Sequence, residues 1–116
     1  MITQKSSLMK HYRDIYNDRR SIARRNGIPF TITFEEFKQK AETTLYCPIF
    51  NDIKLSWGFT IDGKSTDNSP SLDRVNPQLG GYTSDNFAII SHKANRIKNN
   101  GTSNEHRLIA EWQERQ

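Results

Sequence analysis

The residues that could do chemistry are concentrated between positions 70 and 99. Three polar groups follow one another there: Leu72-Asp73-Arg74-Val75, then Asp85-Asn86, then Ala94-Asn95-Arg96-Ile97-Lys98. Taken singly, an Asp beside an Arg is more often a surface ion pair, and an Asn near a turn is more often a cap. The order of the three groups is more informative, because a strand, a turn, a second strand and a helix would bring Asp73 and Asn95 together.

This pattern resembles the motif of the HNH endonucleases, also called ββα-metal or His-Me finger nucleases. The turn Gly80-Gly81-Tyr82 falls where that family usually has glycine. A weaker likeness extends upstream through 28–33 and 47–49, as in small phage-type members of the family. The resemblance implies an α+β fold with a ββα-metal core.

The same resemblance implies roles for the three polar groups. Asp73 and Asn95 would hold one divalent cation, Mg²⁺ or Mn²⁺, since two oxygen ligands leave positions on a hard cation for water and a phosphate. Asn86 would hydrogen-bond across the loop and hold it in shape. Lys98 and Arg96 would contact phosphate oxygens of the DNA.

The sequence departs from the family pattern at the general base. The family has His directly after the metal-binding Asp, whereas this chain has Arg74, whose guanidinium stays protonated and cannot accept a proton. Arg74 can instead neutralise the scissile phosphate. An Asp-Arg subset of the family uses a tyrosine, and by that analogy Tyr46 is the first candidate for the base and Tyr82 the second. His92 is the third, since its ordinary pKa suits a base and it precedes Asn95 by one helical turn.

Members of that subset commonly carry paired Cys knuckles that bind zinc. Here Cys47 fits one position, but Thr44, Ser91 and Ala94 occupy the other three, so a four-ligand zinc site cannot be built. We therefore expect no structural zinc and a buried Cys47. Apolar side chains should pack in place of the metal, and these are Phe50, Leu55, Trp57, Phe87, Ile90 and Trp112.

The elements that would position this site follow from hydrophobic spacing. A helix is predicted over 4–25, because Leu8, Tyr12, Ile15, Arg19 and Ile22 recur at helical intervals. A second helix should begin at Thr33, where Glu36 completes a capping box. Residues 45–60 favour extended segments, and 61–70 a loop. Strands are predicted over 71–75 and from Phe87 to Ile90, a helix from Ser91 to Asn100, and a last helix capped by Thr102.

The chain allows a single domain, 1–116, with a helical basic extension (1–44), the strands and motif (45–100) and a C-terminal helix (102–116). The net charge is +4, and the first thirty residues hold seven basic against two acidic side chains. That asymmetry favours a polyanionic partner. We expect the first helix to follow DNA phosphates through Arg13, Arg20, Arg24 and Arg25. Without an apolar run or a secretory signal, the chain is expected to avoid membranes and to be cytoplasmic, in a host cell if phage encoded.

These observations predict a metal-dependent DNA endonuclease. One ββα-metal site cuts one strand, so a monomer would nick and a homodimer could break both strands. Small size suggests a phage or mobile-element origin. Two alternatives stay open: a catalytically silent DNA-binding module, favoured by Arg74, and a structure-selective nuclease acting on branched DNA.

Overall fold

A computed structural model of the chain describes residues 4–57, 66–100 and 103–116, with only the backbone of 4–7 and 99–100. The fold is a compact α+β arrangement in which, over the described ranges, four α-helices surround a two-stranded antiparallel sheet. The elements are α1 (Gln4–Arg25), α2 (Phe34–Thr43), β1 (Pro70–Arg74), a 3₁₀ turn (Pro77–Leu79), β2 (Phe87–Ser91), α3 (His92–Asn100) and α4 (Ser103–Glu114).

Helix α1 contributes one wall of the core. Its buried stripe consists of Tyr12, Tyr16 and Ala23, at the spacing that places residues on one side of a helix. The Tyr16 ring packs edge-on against Phe30 and Phe34, and its hydroxyl donates a 2.6 Å hydrogen bond to the Ile32 carbonyl. This contact fixes the link between α1 and α2 against the helix.

Helix α2 begins with the predicted capping box. The Thr33 hydroxyl accepts from the Glu36 amide at 3.1 Å, and the Glu36 carboxylate accepts from the Thr33 amide at 3.0 Å. Its inner face buries Phe37 and Ala41. The cap satisfies donors that the first turn of a helix leaves without a partner.

The sheet and α3 form a hairpin followed directly by a helix. Strands β1 and β2 pair in the register Asp73↔Ala88 and Arg74↔Phe87, and every residue of β2 is buried. Helix α3 starts at His92, immediately after β2 ends, and α4 packs Ile109 and Trp112 onto the core. The predicted strand–turn–strand–helix order is confirmed, with β1 starting one residue earlier and β2 ending one later than expected.

The stretch expected to be extended, 45–60, is only partly so. Over 45–57 the chain makes a turn, and its one bridge there joins Tyr46 to Lys54. Residues 58–65 lie outside the described ranges, as does the predicted cap Thr102. No helix in the described part of the chain is long and apolar enough to span a bilayer.

Cys47 is fully buried, as expected. Its sulfur accepts hydrogen bonds from the amides of Phe50 at 3.5 Å and Ser91 at 3.4 Å. The Ser91 hydroxyl in turn accepts from the Ala94 amide at 3.1 Å. Of the side chains predicted to pack in this region, Leu55, Phe87, Ile90 and Trp112 are buried, while Phe50 and Trp57 pack against the core from its edge. Apolar packing and these hydrogen bonds from backbone amides hold the region together.

Candidate active site

A cleft of about 270 Å³ opens where β1, the loop after it, α1 and α3 meet. The two predicted metal ligands, Asp73 from β1 and Asn95 from α3, both line it. The hairpin-plus-helix arrangement therefore brings these two side chains to one site. The described residues that line it are Arg19, Leu72, Asp73, Arg74, Pro77, Tyr82, Asn95 and Lys98.

The Asp73 carboxylate is the one acidic group in the cleft lining. One of its oxygens, Oδ2, accepts a 2.5 Å hydrogen bond from the Lys98 ammonium, which also donates to the Arg74 carbonyl at 3.0 Å. The Asp73 and Lys98 side chains are only 13% and 11% exposed. Burial raises the pKa of the Asp73 carboxyl, while the charges of Lys98, Arg19 and Arg74 pull that pKa down.

Arg74 points its guanidinium toward the loop that closes the cleft. Its Nη1 donates to the Gly80 carbonyl at 3.0 Å and to the Pro77 carbonyl at 3.4 Å, and the guanidinium carbon lies 5.7 Å from the centre of the Tyr82 ring. One nitrogen is thus used to hold the loop. If Arg74 binds a phosphate as predicted, it must do so through the other N–H groups of its guanidinium, which has five donors in all.

Asn86 fastens the other side of the same loop. It is 4% exposed, and its Oδ1 accepts from the Asn76 amide at 3.0 Å. Its Nδ2 donates to the carbonyls of Asn76 at 3.1 Å and Gly81 at 3.0 Å. These three bonds cross the loop in the way that the family resemblance implies for this position.

A side cavity of about 310 Å³ adjoins the cleft and shares Arg19, Leu72 and Asn95 with it. His92, the third candidate for the base, lines this side cavity together with Asp18. Of the two tyrosines, Tyr82 lines the cleft and is 6% exposed. Tyr46, the first candidate, lines neither cavity and is 51% exposed on the bridge to Lys54.

Arg19 is a cleft residue that the sequence reasoning missed. Arg19 falls among the apolar positions of α1 and so points inward, whereas the predicted DNA-binding arginines belong to the polar face of that helix. A cation within an otherwise apolar stripe is the signal that could have identified it, because a half-buried charge needs a polar site to face.

The predicted DNA-binding residues do not form one surface. Arg13, Arg20 and Arg24 line a separate hollow of about 540 Å³ between α1 and residues 30–34, called here the arginine groove. Arg13 lies over the Phe34 ring at 4.4 Å and Arg20 over the Tyr16 ring at 5.4 Å. Arg25 is exposed outside this lining, and Arg96 makes a 2.9 Å ion pair with Asp67.

The chemistry of the cleft suits a hard cation. A buried carboxylate that already attracts the Lys98 ammonium and a carboxamide at the same cleft are donors that Mg²⁺ and Mn²⁺ accept. Across the described ranges, no cluster of three or more His, Cys, Asp or Glu side chains is placed to hold a metal ion. A cation in the cleft would therefore depend on Asp73, Asn95 and ligands from substrate and water.

Comparison with protein-family models, curated proteins and solved structures yields no match for this chain. The site is therefore interpreted from its own geometry and from the motif.

Proposed function

We propose that this protein is a metal-dependent DNA endonuclease of HNH type that nicks one strand per active site. The observation that carries the proposal is the meeting of Asp73 and Asn95 in one cleft with three cationic side chains. Arg19, Arg74 and Lys98 come from different elements and all face that cleft. A carboxylate and an amide surrounded by cations match the needs of phosphodiester hydrolysis.

The charged and carboxamide residues in and beside the cleft each have a role in that reaction. Asp73 and Asn95 would hold the cation, which supplies Lewis-acid polarisation of the phosphate and stabilisation of the leaving oxygen. Arg19 and Arg74 bind non-bridging phosphate oxygens and neutralise the charge that grows on them. Lys98 holds the Asp73 carboxylate in place and balances its charge. Asn86 keeps the loop that carries Pro77 and Tyr82 against the cleft.

His92 is the proposed general base. It lies one helical turn before Asn95 and lines the side cavity, which shares Arg19, Leu72 and Asn95 with the cleft. A neutral imidazole accepts a proton near neutral pH, whereas a phenol must first lose its own proton at an ordinary pKa of about 10. Tyr82 remains the second candidate, since it is the predicted tyrosine that lines the cleft. Tyr46 is ranked below both because it lines neither cavity.

The experiment that tests the function is nicking of supercoiled plasmid with Mg²⁺ or Mn²⁺, compared with EDTA. Wild-type protein should relax the plasmid only with the cation, and Asn95→Ala should lower the rate at least 10²-fold. Lys54→Ala is the matched control, since Lys54 is an exposed cation outside the cleft lining. Absence of cation-dependent nicking, or full activity of Asn95→Ala, would refute the proposal.

The base is tested separately. His92→Ala should lose about 10²-fold or more in rate and regain part of it with added imidazole, while Tyr82→Phe and Tyr46→Phe, which each remove a hydroxyl, should change the rate little. Loss of activity in Tyr82→Phe with an active His92→Ala would assign the base to Tyr82 instead.

A catalytically silent DNA-binding module is the second candidate. The Lys98 ammonium on Asp73 Oδ2 favours it, because a lysine there competes with a metal ion for the carboxylate. The same plasmid assay decides between them, since a silent module binds DNA and leaves the plasmid supercoiled under every cation condition.

A further inference from the structure

Helix α1 separates two hollows on the protein surface. Successive residues of an α-helix are about 100° apart around its axis, so Arg13, Arg20 and Arg24 fall within about 40° of one another. Ile15, Asp18 and Ile22 fall within about 60° on the other side, about half a turn away. The first set lines the arginine groove, and the second lines the side cavity beside the cleft.

Between those two sides, α1 presents a polar outer face. The residues that lie there are all exposed, and they are Lys10, Asp14, Asn17, Ser21 and Arg25. Inward, the helix is anchored by buried Tyr12, Tyr16 and Ala23. The helix is therefore a ridge with a fixed base, a hydrogen-bonding crest and a hollow on each side.

The width of this helical ridge fits one kind of partner, duplex DNA. An α-helix with its side chains is about 10–12 Å across, which matches the roughly 12 Å width of the major groove of B-DNA and exceeds the roughly 6 Å of the minor groove. The two sugar–phosphate strands that border a major groove would then fall in the two hollows. A helix of this width fits the major groove of duplex DNA, and the charges on its two sides supply the further argument.

The charges on the two sides agree with this arrangement. The arginine groove has three guanidinium groups and no carboxylate in its lining, and aromatic rings hold two of those groups in place. On the other side, Arg19 lines both cavities and the cleft adds Arg74, while the charge of Lys98 is balanced by Asp73. Each phosphate strand would therefore meet cations.

Two acidic side chains near the crest must also be accommodated. The Asp14 carboxylate is paired with the Lys10 ammonium at 3.2 Å. Asp18 lines the side cavity next to Arg19, and a carboxylate can accept a hydrogen bond from the amino group of cytosine in the major groove. Asn17 is exposed where the crest meets the arginine groove, and its Oδ1 accepts from Arg20 at 3.3 Å. An asparagine side chain is also the one that pairs with adenine in the major groove.

We propose that α1 lies in the major groove of duplex DNA, with one strand in the arginine groove and the other, cleaved strand entering the cleft. This inference rests on the proposed nuclease function for the identity of the partner. It adds that the protein reads duplex DNA through α1 and contacts both strands across one groove.

The experiment measures binding of wild-type protein in EDTA to two duplexes of about 20 base pairs with the same sequence. One carries cytosine and the other carries glucosylated 5-hydroxymethylcytosine, whose sugars fill the major groove without adding charge. Affinity for the glucosylated duplex should be at least 10-fold lower, and netropsin, which occupies the minor groove, should not displace the protein from the cytosine duplex. Equal affinity for the two duplexes, or displacement by netropsin, overturns the proposal.

A matched pair of triple variants tests the arginine groove. Replacing Arg13, Arg20 and Arg24 with Gln should reduce the magnitude of the salt dependence of duplex binding, the slope of log K against log salt, by about 2.7, from three phosphate contacts at about 0.9 each. The control removes the same charge at exposed positions outside the groove, Lys54, Arg107 and Arg115.

The control triple should bind duplex as wild type does. Equal weakening by the two triples would mean that only net charge matters, and would also overturn the proposal. The failure of the nuclease proposal is a different result, namely a wild-type protein that binds duplex in this way and never nicks it with Mg²⁺ or Mn²⁺.

Discussion

Removing the Asn86 side chain should both destabilise the protein and release the loop that borders the cleft. Asn86→Ala deletes three hydrogen bonds that cross the loop between β1 and β2. At about 1 kcal/mol for each bond, the free energy of unfolding should fall by about 3 kcal/mol. For a chain of this size that corresponds to a fall in Tm of roughly 10 °C.

The two hydrogen bonds that Asn86 Nδ2 donates can be tested separately with a second variant. Asn86→Asp keeps an acceptor for the Asn76 amide but places a carboxylate oxygen against the carbonyls of Asn76 and Gly81. Because three acceptors would then face one another in a buried site, Asn86→Asp should be more destabilising than Asn86→Ala.

Urea unfolding followed by circular dichroism measures both variants, and Asn104→Ala serves as the control. Asn104 is exposed on α4, where its carboxamide accepts from Arg107, so its loss should cost less than about 0.5 kcal/mol. A loss in Asn86→Ala no larger than that of the control, or an Asn86→Asp variant as stable as Asn86→Ala, would refute this reasoning. Plasmid nicking, if present in the wild type, should fall at least 10-fold in Asn86→Ala at a temperature where the variant is folded.

Three further perturbations have expected outcomes. Gly81→Ala should destabilise by several kcal/mol in a thermal melt, because a Cβ there would overlap the Pro29 carbonyl, and wild-type stability would contradict the docking of this loop. Tyr16→Phe removes the buried hydrogen bond to the Ile32 carbonyl and should cost about 1–2 kcal/mol in urea unfolding, with no change disproving that bond. Burial lowers the pKa of His11, so the unfolded chain binds more protons in the pH range between that lowered pKa and the ordinary value of about 6.5. The free energy of unfolding should therefore fall as the pH drops from about 6.5 through this range, and His11→Gln should flatten the dependence in a series of urea unfolding curves.

The helices and the hairpin could be predicted because their signals are local. The repeat of apolar residues between Leu8 and Ile22 fixes α1, and Thr33 with Glu36 fixes the start of α2. The order of strand, turn, strand and helix follows from short runs bounded by turn residues. That order also brings Asp73 and Asn95 together, so the proximity of these two residues could be predicted from the sequence.

The rest of the site depends on contacts between distant segments. Pro29 and Thr31 form hydrogen bonds with the backbone of Tyr82, about fifty positions away in the chain. No local sequence pattern predicts such a contact. For the same reason the sequence could not tell that Tyr82 faces the cleft, that Tyr46 does not line it, or that Arg19 reaches it from α1. The ion pair between Asp73 and Lys98 likewise appears only when β1 and α3 are packed.

The burial of Cys47 makes its thiol a natural probe of how often the core opens. It is the single cysteine of the chain, it is fully buried, and its sulfur is held by two amide hydrogens. A thiol reagent can reach it only when the surrounding core opens, so the labelling rate should be slower than that of an exposed thiol by the equilibrium constant for opening. For small domains that factor is roughly 10³ to 10⁸. Labelling with and without DNA would thus report how strongly a bound duplex stabilises the fold, with no mutation or attached dye.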